Sequence, residues 1–295
     1  MKKYWQAWCH FWFSPVGLLN LAVFRIVVAS TMGLLYLDRL LDWKIFYSND
    51  GILPRALALQ IIPEFYRPSF EWFYWPDSMA FGFHAALVCG LFLLTVGLGG
   101  RVLSFLVWTL HIGFLHRNFS VAFGADLIGG IFLLYLSFTQ SCARLSLANV
   151  LLKSKKIPRP DILTNLFYRM IQVQLCIIYA YTGFEKLKGA SWWDGTALWT
   201  VMANPQMVIA DFSWLRLFPL LVVGIAFGTI AFEVYFPALI WNAKTRKAVL
   251  ISGVLFHTGI GLLMALYNFA IIMMAPYVLF ISEEALSRLI VRRKV

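Results

Sequence analysis

Five ionisable side chains stand in stretches otherwise built from leucine, isoleucine, valine, phenylalanine and alanine: Arg25, Asp126, Arg169, Glu233 and His257. His111, Gln172 and Gln174 add uncharged polarity to similar stretches. Charge in an apolar solvent is costly unless it is paired or hydrated, so a chain that keeps such groups uses them. Two bases and two acids of this set can neutralise one another. One use is a polar cavity that binds a headgroup, a proton or a polar substrate. The other is a salt-bridge network that fixes helix order. His257, beside Gly259 and Gly261, also suits a simple bond to a neighbouring helix carbonyl. It is no metal site, because no HxxxH or HExxH pattern accompanies it.

Two further motifs carry chemistry. Tyr47-Ser-Asn-Asp-Gly-Ile-Leu-Pro-Arg55 holds an Asn-Asp-Gly turn, with Asp50 at its tip and a stiffening proline. Arg55 offers a bidentate donor to an anion, or serves as an ordinary interfacial arginine. Tyr179-Ala-Tyr-Thr-Gly-Phe-Glu-Lys186-Leu-Lys-Gly189 runs into the Trp192-Trp193 pair. A lysine after several apolar turns is a usable base if desolvated, since burial disfavours the ammonium form. Glu185 next door would oppose this, and a lysine that snorkels to the headgroups is the simpler reading.

The elements that hold these residues follow from the composition. The chain has 295 residues, of which 61% are hydrophobic and 13% charged. A soluble domain usually carries about 25% charged residues. Apolar segments at 16–37, 80–98, 102–116, 121–139, 163–182, 216–241, 248–266 and 269–285 are apolar on all faces, which predicts helices rather than the alternating strands of a barrel. The expectation is an all-α, polytopic transmembrane bundle of eight or so helices in a single domain over 1–295. The run 16–37 is too long for a signal-peptide core and reads as a retained first helix.

Basic residues orient the bundle. Lys2, Lys3, the loop with Lys153, Lys155, Lys156 and Arg159, and the tail with Arg288, Arg292, Arg293 and Lys294 all fall on one side. The positive-inside rule puts that side, and both termini, in the cytoplasm. Two long outer segments, 38–79 and 183–215, then carry Trp72, Trp75, Trp192, Trp193 and Trp199, which suit the membrane boundary. A candidate site opens outward. The net charge of +11 sits at the ends of apolar segments and does not indicate nucleic acid. Cys89 and Cys176 read as small core residues, with no disulfide or metal spacing.

The ordered set of motifs resembles the HTTM domain, the membrane domain shared by the vitamin K-dependent γ-carboxylase family and its bacterial relatives. The stretches are Phe24-Arg25-Ile26, the loop ending at Arg55, Arg117-Asn118, Gly124-Ala125-Asp126, Thr182-Gly183-x-x-Lys186-Leu187 with Trp193, and Phe256-His257-x-Gly259-Ile260. They run in family order along almost the whole chain. The resemblance implies that Lys186 matches the base that activates a reduced, menaquinol-like naphthoquinone. It further implies substrate or cofactor contacts at Asp50, Arg55, Arg117, Asn118, Asp126 and Trp193. Arg25, Arg169, Glu233 and His257 would form the intramembrane polar network.

The carboxylases continue into a large domain that holds a peptide substrate. The sequence to Val295 has no counterpart, and no matching histidine can be placed near Phe123-Gly124-Ala125. The reduced architecture resembles small bacterial HTTM proteins of the plasma membrane, some tied to processing or export of small peptides. The expected roles are therefore a carboxylase- or epoxidase-like lyase or oxidoreductase that uses a quinol, or a non-catalytic factor that binds a peptide, lipid or partner protein. A transporter would show inverted repeats and broken helices, which the sequence does not display.

Overall fold

The computed structural model describes residues 2–68, 74–153 and 157–291. Trp72, Lys155, Lys156, Arg292, Arg293 and Lys294 lie outside the described residues. Among those described there is no strand, and the architecture is all-α. The principal helices are α1 (Lys2–Phe13), α2 (Leu18–Leu41), α3 (Asp77–Thr95), α4 (Gly100–Arg117), α5 (Gly124–Ser137), α6 (Ile162–Leu187), α7 (Pro219–Leu239), α8 (Ala243–Met264), α9 (Tyr267–Met274) and α10 (Glu283–Val291).

Every apolar run read from the sequence is mostly helical, and local chemistry sets where several of the helices begin. Asp161 accepts from the Thr164 amide at 2.8 Å, an N-cap for α6. Asn242 accepts from the Lys244 amide at 3.0 Å and caps α8. Pro219 opens α7, where a missing amide costs nothing. Asp77 stands in the first turn of α3, where its charge complements the helix dipole.

Five helices, α2, α3, α6, α7 and α8, are long and apolar enough to cross a membrane. The run through α9, a 3-10 segment and α10 makes a sixth if its 115° bend lies within one span. The protein is thus a multi-pass membrane protein. At 14 residues, α5 extends only about 21 Å, against about 30 Å of hydrocarbon. Alone it is too short to span. The 18-residue α4 is longer but less apolar, with Arg101, His116 and Arg117 near its ends.

The chain groups into two compact units: residues 1–169 with 281–295, and residues 170–280. In the first unit α2 is central and packs on α3 and α5, while α4 packs on α3 and α5. Most of α2 is buried, whereas α8 in the second unit is largely exposed. Within the second unit α8 packs on α7 and α9. The described parts of the two long segments expected outside the membrane are folded. Leu53, Ala58 and Ile62 form a small core in the first unit. Met202, Leu215 and Val222 form another in the second. Cys176 is buried as expected, but Cys89 is exposed on α3, where a small apolar side chain can face lipid.

Candidate functional site

In the first unit the polar groups inside the helices bond to one another. Arg39 grips Asp126 with both nitrogens, at 2.6 and 2.9 Å, and donates to the Val121 carbonyl at 3.0 Å. The Phe123 amide donates to the second Asp126 oxygen at 3.0 Å. His111 Nε2 donates to the Asp126 carbonyl at 3.1 Å, so its Nδ1 accepts from the Tyr36 hydroxyl at 2.8 Å. His84 Nε2 donates to the Tyr36 carbonyl at 2.9 Å. One network therefore joins α2, α3, α4 and α5.

The sequence left the pairing of these charges open, and the structure supplies it. Asp126 meets Arg39 rather than one of the intramembrane bases, because α2 continues to Leu41 and keeps Arg39 helical. Arg25 pairs with no carboxylate in any described ion pair. Its guanidinium donates to the carbonyls of Thr95, Ser141, Arg144 and Leu145, at 3.3, 2.8, 3.4 and 2.7 Å. It serves as the cap of a turn. Arg169 lies against the rings of Phe11 and Tyr168, at 5.3 and 5.9 Å.

The expected ligand contacts at Arg117 and Asn118 are also taken up by the chain. Arg117 donates to the carbonyls of Tyr47 and Trp75 at 2.7 and 2.6 Å and to Asp77 at 2.8 Å. The Asn118 amide nitrogen donates to the Phe46 carbonyl at 2.5 Å. These bonds pin the turn over 47–52 to the start of α3 and the end of α4. Burial pushes the Tyr47 phenol up to about 12, and the nearby Arg39 charge only partly opposes this. Arg55 lies 5.7 Å from the Tyr74 ring. Exposed Asp50 lines a cavity of about 1140 Å³ with Trp43, Lys44, Ser48, Asp77 and Phe81.

The second unit holds a different arrangement. Tyr179, Thr182 and Lys186 fall at i, i+3 and i+7, one face of α6. Lys186 donates to Glu233 on α7 at 2.7 Å, with side chains 22% and 6% exposed. Gly183 makes this approach possible. A Cβ there would stand 3.0 Å from the Val234 amide nitrogen and 3.1 Å from the Glu233 Cβ. Pro237, four residues after Glu233, supplies no amide to the Glu233 carbonyl. The Lys186 ammonium also stands 5.3 Å from the Trp192 ring, within cation–π range. Glu185 turns to Lys188 at 2.6 Å, so the carboxylate beside Lys186 is Glu233 and not its sequence neighbour. Trp193 donates to the Leu187 carbonyl at 2.7 Å and closes the end of α6.

Deeper on the same face, the Tyr179 hydroxyl bonds to His257 Nε2 at 2.7 Å and to the Tyr277 hydroxyl at 2.5 Å. Phe232 and Phe236 wall Tyr179, with ring centroids at 5.3 and 4.2 Å. Both also line an apolar groove of about 590 Å³ between α7 and α8, with Ile225, Leu239, Val249 and Phe256. Sequence reasoning passed over Tyr36, His84 and Tyr277. Their signal was a hydrogen-bonding side chain within an apolar run. Among the described residues no group of three His, Cys, Asp or Glu side chains is placed to hold a metal ion.

The chain is similar in part to "Sporulation-delaying protein SdpB" of Bacillus subtilis (strain 168), with 30% identity over 125 residues. The match covers 40% of this chain and 39% of that protein, so the chain spans about two fifths of the length of the curated relative it matches. No family model matches the chain. No solved structure matches it significantly.

Proposed function

We propose that this chain is a bacterial plasma-membrane enzyme that moves a proton at Lys186, with an outward-facing site that accepts a lipid-soluble phenolic substrate of the reduced naphthoquinone type. The observation that carries this reading is the contact of 2.7 Å between Lys186 Nζ and Glu233 Oε2 on two membrane-crossing helices. Two opposite charges are stable there while water reaches the lysine. When an apolar substrate displaces that water, both charged forms lose solvation, and proton transfer from Lys186 to Glu233 leaves a neutral amine and a neutral acid. The amine then accepts the substrate hydroxyl proton, and Glu233 holds the proton that lysine released. The groove beside Phe232 and Phe236 fits an apolar tail. The resemblance to the HTTM domain supports the choice of a quinol.

A second reading is a non-catalytic membrane factor that binds a peptide, lipid or partner protein, as in small-peptide maturation or export. The Lys186–Glu233 contact also serves as a plain joint between α6 and α7, which favours it. Lys186→Ala separates the two. In the enzyme reading, purified protein in aerated proteoliposomes speeds the oxidation of reduced naphthoquinone by dioxygen, which takes up the two electrons and two protons as hydrogen peroxide, above the protein-free rate, and the folded variant does not. Turnover retained in the variant refutes the assignment of Lys186. Absence of turnover in the wild type, with cellular function intact in the variant, selects the second reading.

A further inference from the structure

The N-terminal helix α1 is not explained by either reading, and it uses none of the residues of the Lys186 site. At 100° per residue, Tyr4, Trp5, Trp8, Phe11 and Trp12 share one side, and Lys2, Lys3, Gln6 and His10 share the other. The helix contains no acidic residue. Its 12 residues extend about 18 Å, too short to cross a bilayer. It is not an extension of α2, because residues 14–17 are non-helical and include Pro15. Its far end is fixed. Asn165 donates to the Phe13 carbonyl and accepts from the Val16 amide, both at 3.2 Å, and Phe11 lies under the Arg169 guanidinium.

The near end presents large aromatic side chains to the surroundings: Tyr4 is 82% exposed, Trp5 68% and Trp8 55%. Tryptophan and tyrosine have an apolar body and a polar edge, and their preferred solvent is the headgroup boundary. Lys2 and Lys3 are exposed on the opposite side, where their ammonium groups reach lipid phosphates while their stems lie along the surface.

We infer that α1 lies in the plane of the membrane as an anchor, with Tyr4, Trp5 and Trp8 among the upper acyl carbons and Lys2 and Lys3 on an anionic lipid surface. A basic helix with an aromatic side and no acid is complementary to that partner in charge as well as in polarity. Such an anchor holds the start of α2 and, through Asn165, the start of α6 at a fixed depth.

The test uses the full chain reconstituted in vesicles of phosphatidylcholine, with or without phosphatidylglycerol. Some acyl chains carry bromine, either near the headgroup or near the chain end. The emission lost in Trp5→Phe/Trp8→Phe, relative to wild type, isolates the two tryptophans. That difference signal is quenched by the shallow bromine far more than by the deep one. The quenching rises at least about twofold with phosphatidylglycerol, since surface lysines add electrostatic attraction. Lys2→Glu/Lys3→Glu removes the dependence on lipid charge while leaving helix content unchanged. An unquenched signal overturns the inference, and so does quenching indifferent to lipid charge. A change in oligomeric mass in the tryptophan variant also overturns it, because a second copy would then cover this side.

Discussion

The Arg39–Asp126 pair gives the sharpest test of how the first unit is held together. Asp126 is wholly buried and the Arg39 side chain is 6% exposed. Removing one member of such a pair leaves the other charged in a dry site, at a cost of about 3–5 kcal/mol. Asp126→Leu strands the Arg39 guanidinium, and Arg39→Met strands the carboxylate. In a chain of this size each should lower the midpoint of thermal unfolding in detergent by about 6–15 °C. The double variant strands no charge. It leaves the Phe123 amide and the Val121 carbonyl without their side-chain partners, at about 1 kcal/mol each. It should therefore be more stable than either single variant, although below wild type. Comparing the four midpoints at one scan rate gives the coupling directly. If Asp126→Leu alone matches the double variant, or loses less than about 1 kcal/mol, the pair does not carry the order of α2 and α5.

Two other changes probe the same unit. A Cβ added at Gly130 would fall 2.6 Å from His111 Nε2, so Gly130→Ala should push the imidazole off the Asp126 carbonyl and lower stability by about 1–3 kcal/mol; an unchanged unfolding midpoint would show that the network is dispensable. Burial alone would raise the Asp161 carboxyl, but the Thr164 hydrogen bonds and the Arg101 charge, at 2.6 Å, outweigh it and hold it below the ordinary carboxylate value. A depressed acid stabilises the fold above its unfolded value and stops doing so as pH falls through its folded value. Asp161→Asn should thus be less stable than wild type at neutral pH, with the gap closing below about pH 4. A gap that stays constant on acidification would mean that the Arg101 ion pair contributes nothing.

The helices were legible because length and uniform apolarity report the solvent around a segment, and neither depends on partners. The pairing of charges was not, for two separate reasons. Arg39 and Lys186 lie about one turn beyond the expected helix ends, so the partners that Asp126 and Glu233 find on helices were read as loop residues. Arg25 found its acceptors on backbone carbonyls of a turn, a type of partner that no side-chain pattern announces. The candidate site was half legible. Lys186 stood out by its place after apolar turns, and Glu233 by being an acid inside an apolar helix. Their meeting rests on Gly183, which lets the two backbones approach, and a glycine in an apolar run does not say what lies across from it.

The two ionic contacts inside the helices differ in a way that bears on function. The Arg39 guanidinium is bidentate to its acid and donates to a further carbonyl, so three of its five N–H donors are held by the chain. Lysine has three donor positions, and Lys186 makes one described hydrogen bond, to Glu233, with its side chain still 22% exposed. A planar, permanently charged arginine suits a fixed joint, and a lysine that can give up its proton suits a reaction. The Arg39 site gains nothing from a change of protonation. The Lys186 site has an acceptor at 2.7 Å and a side chain still open to its surroundings, as the proposed proton transfer requires.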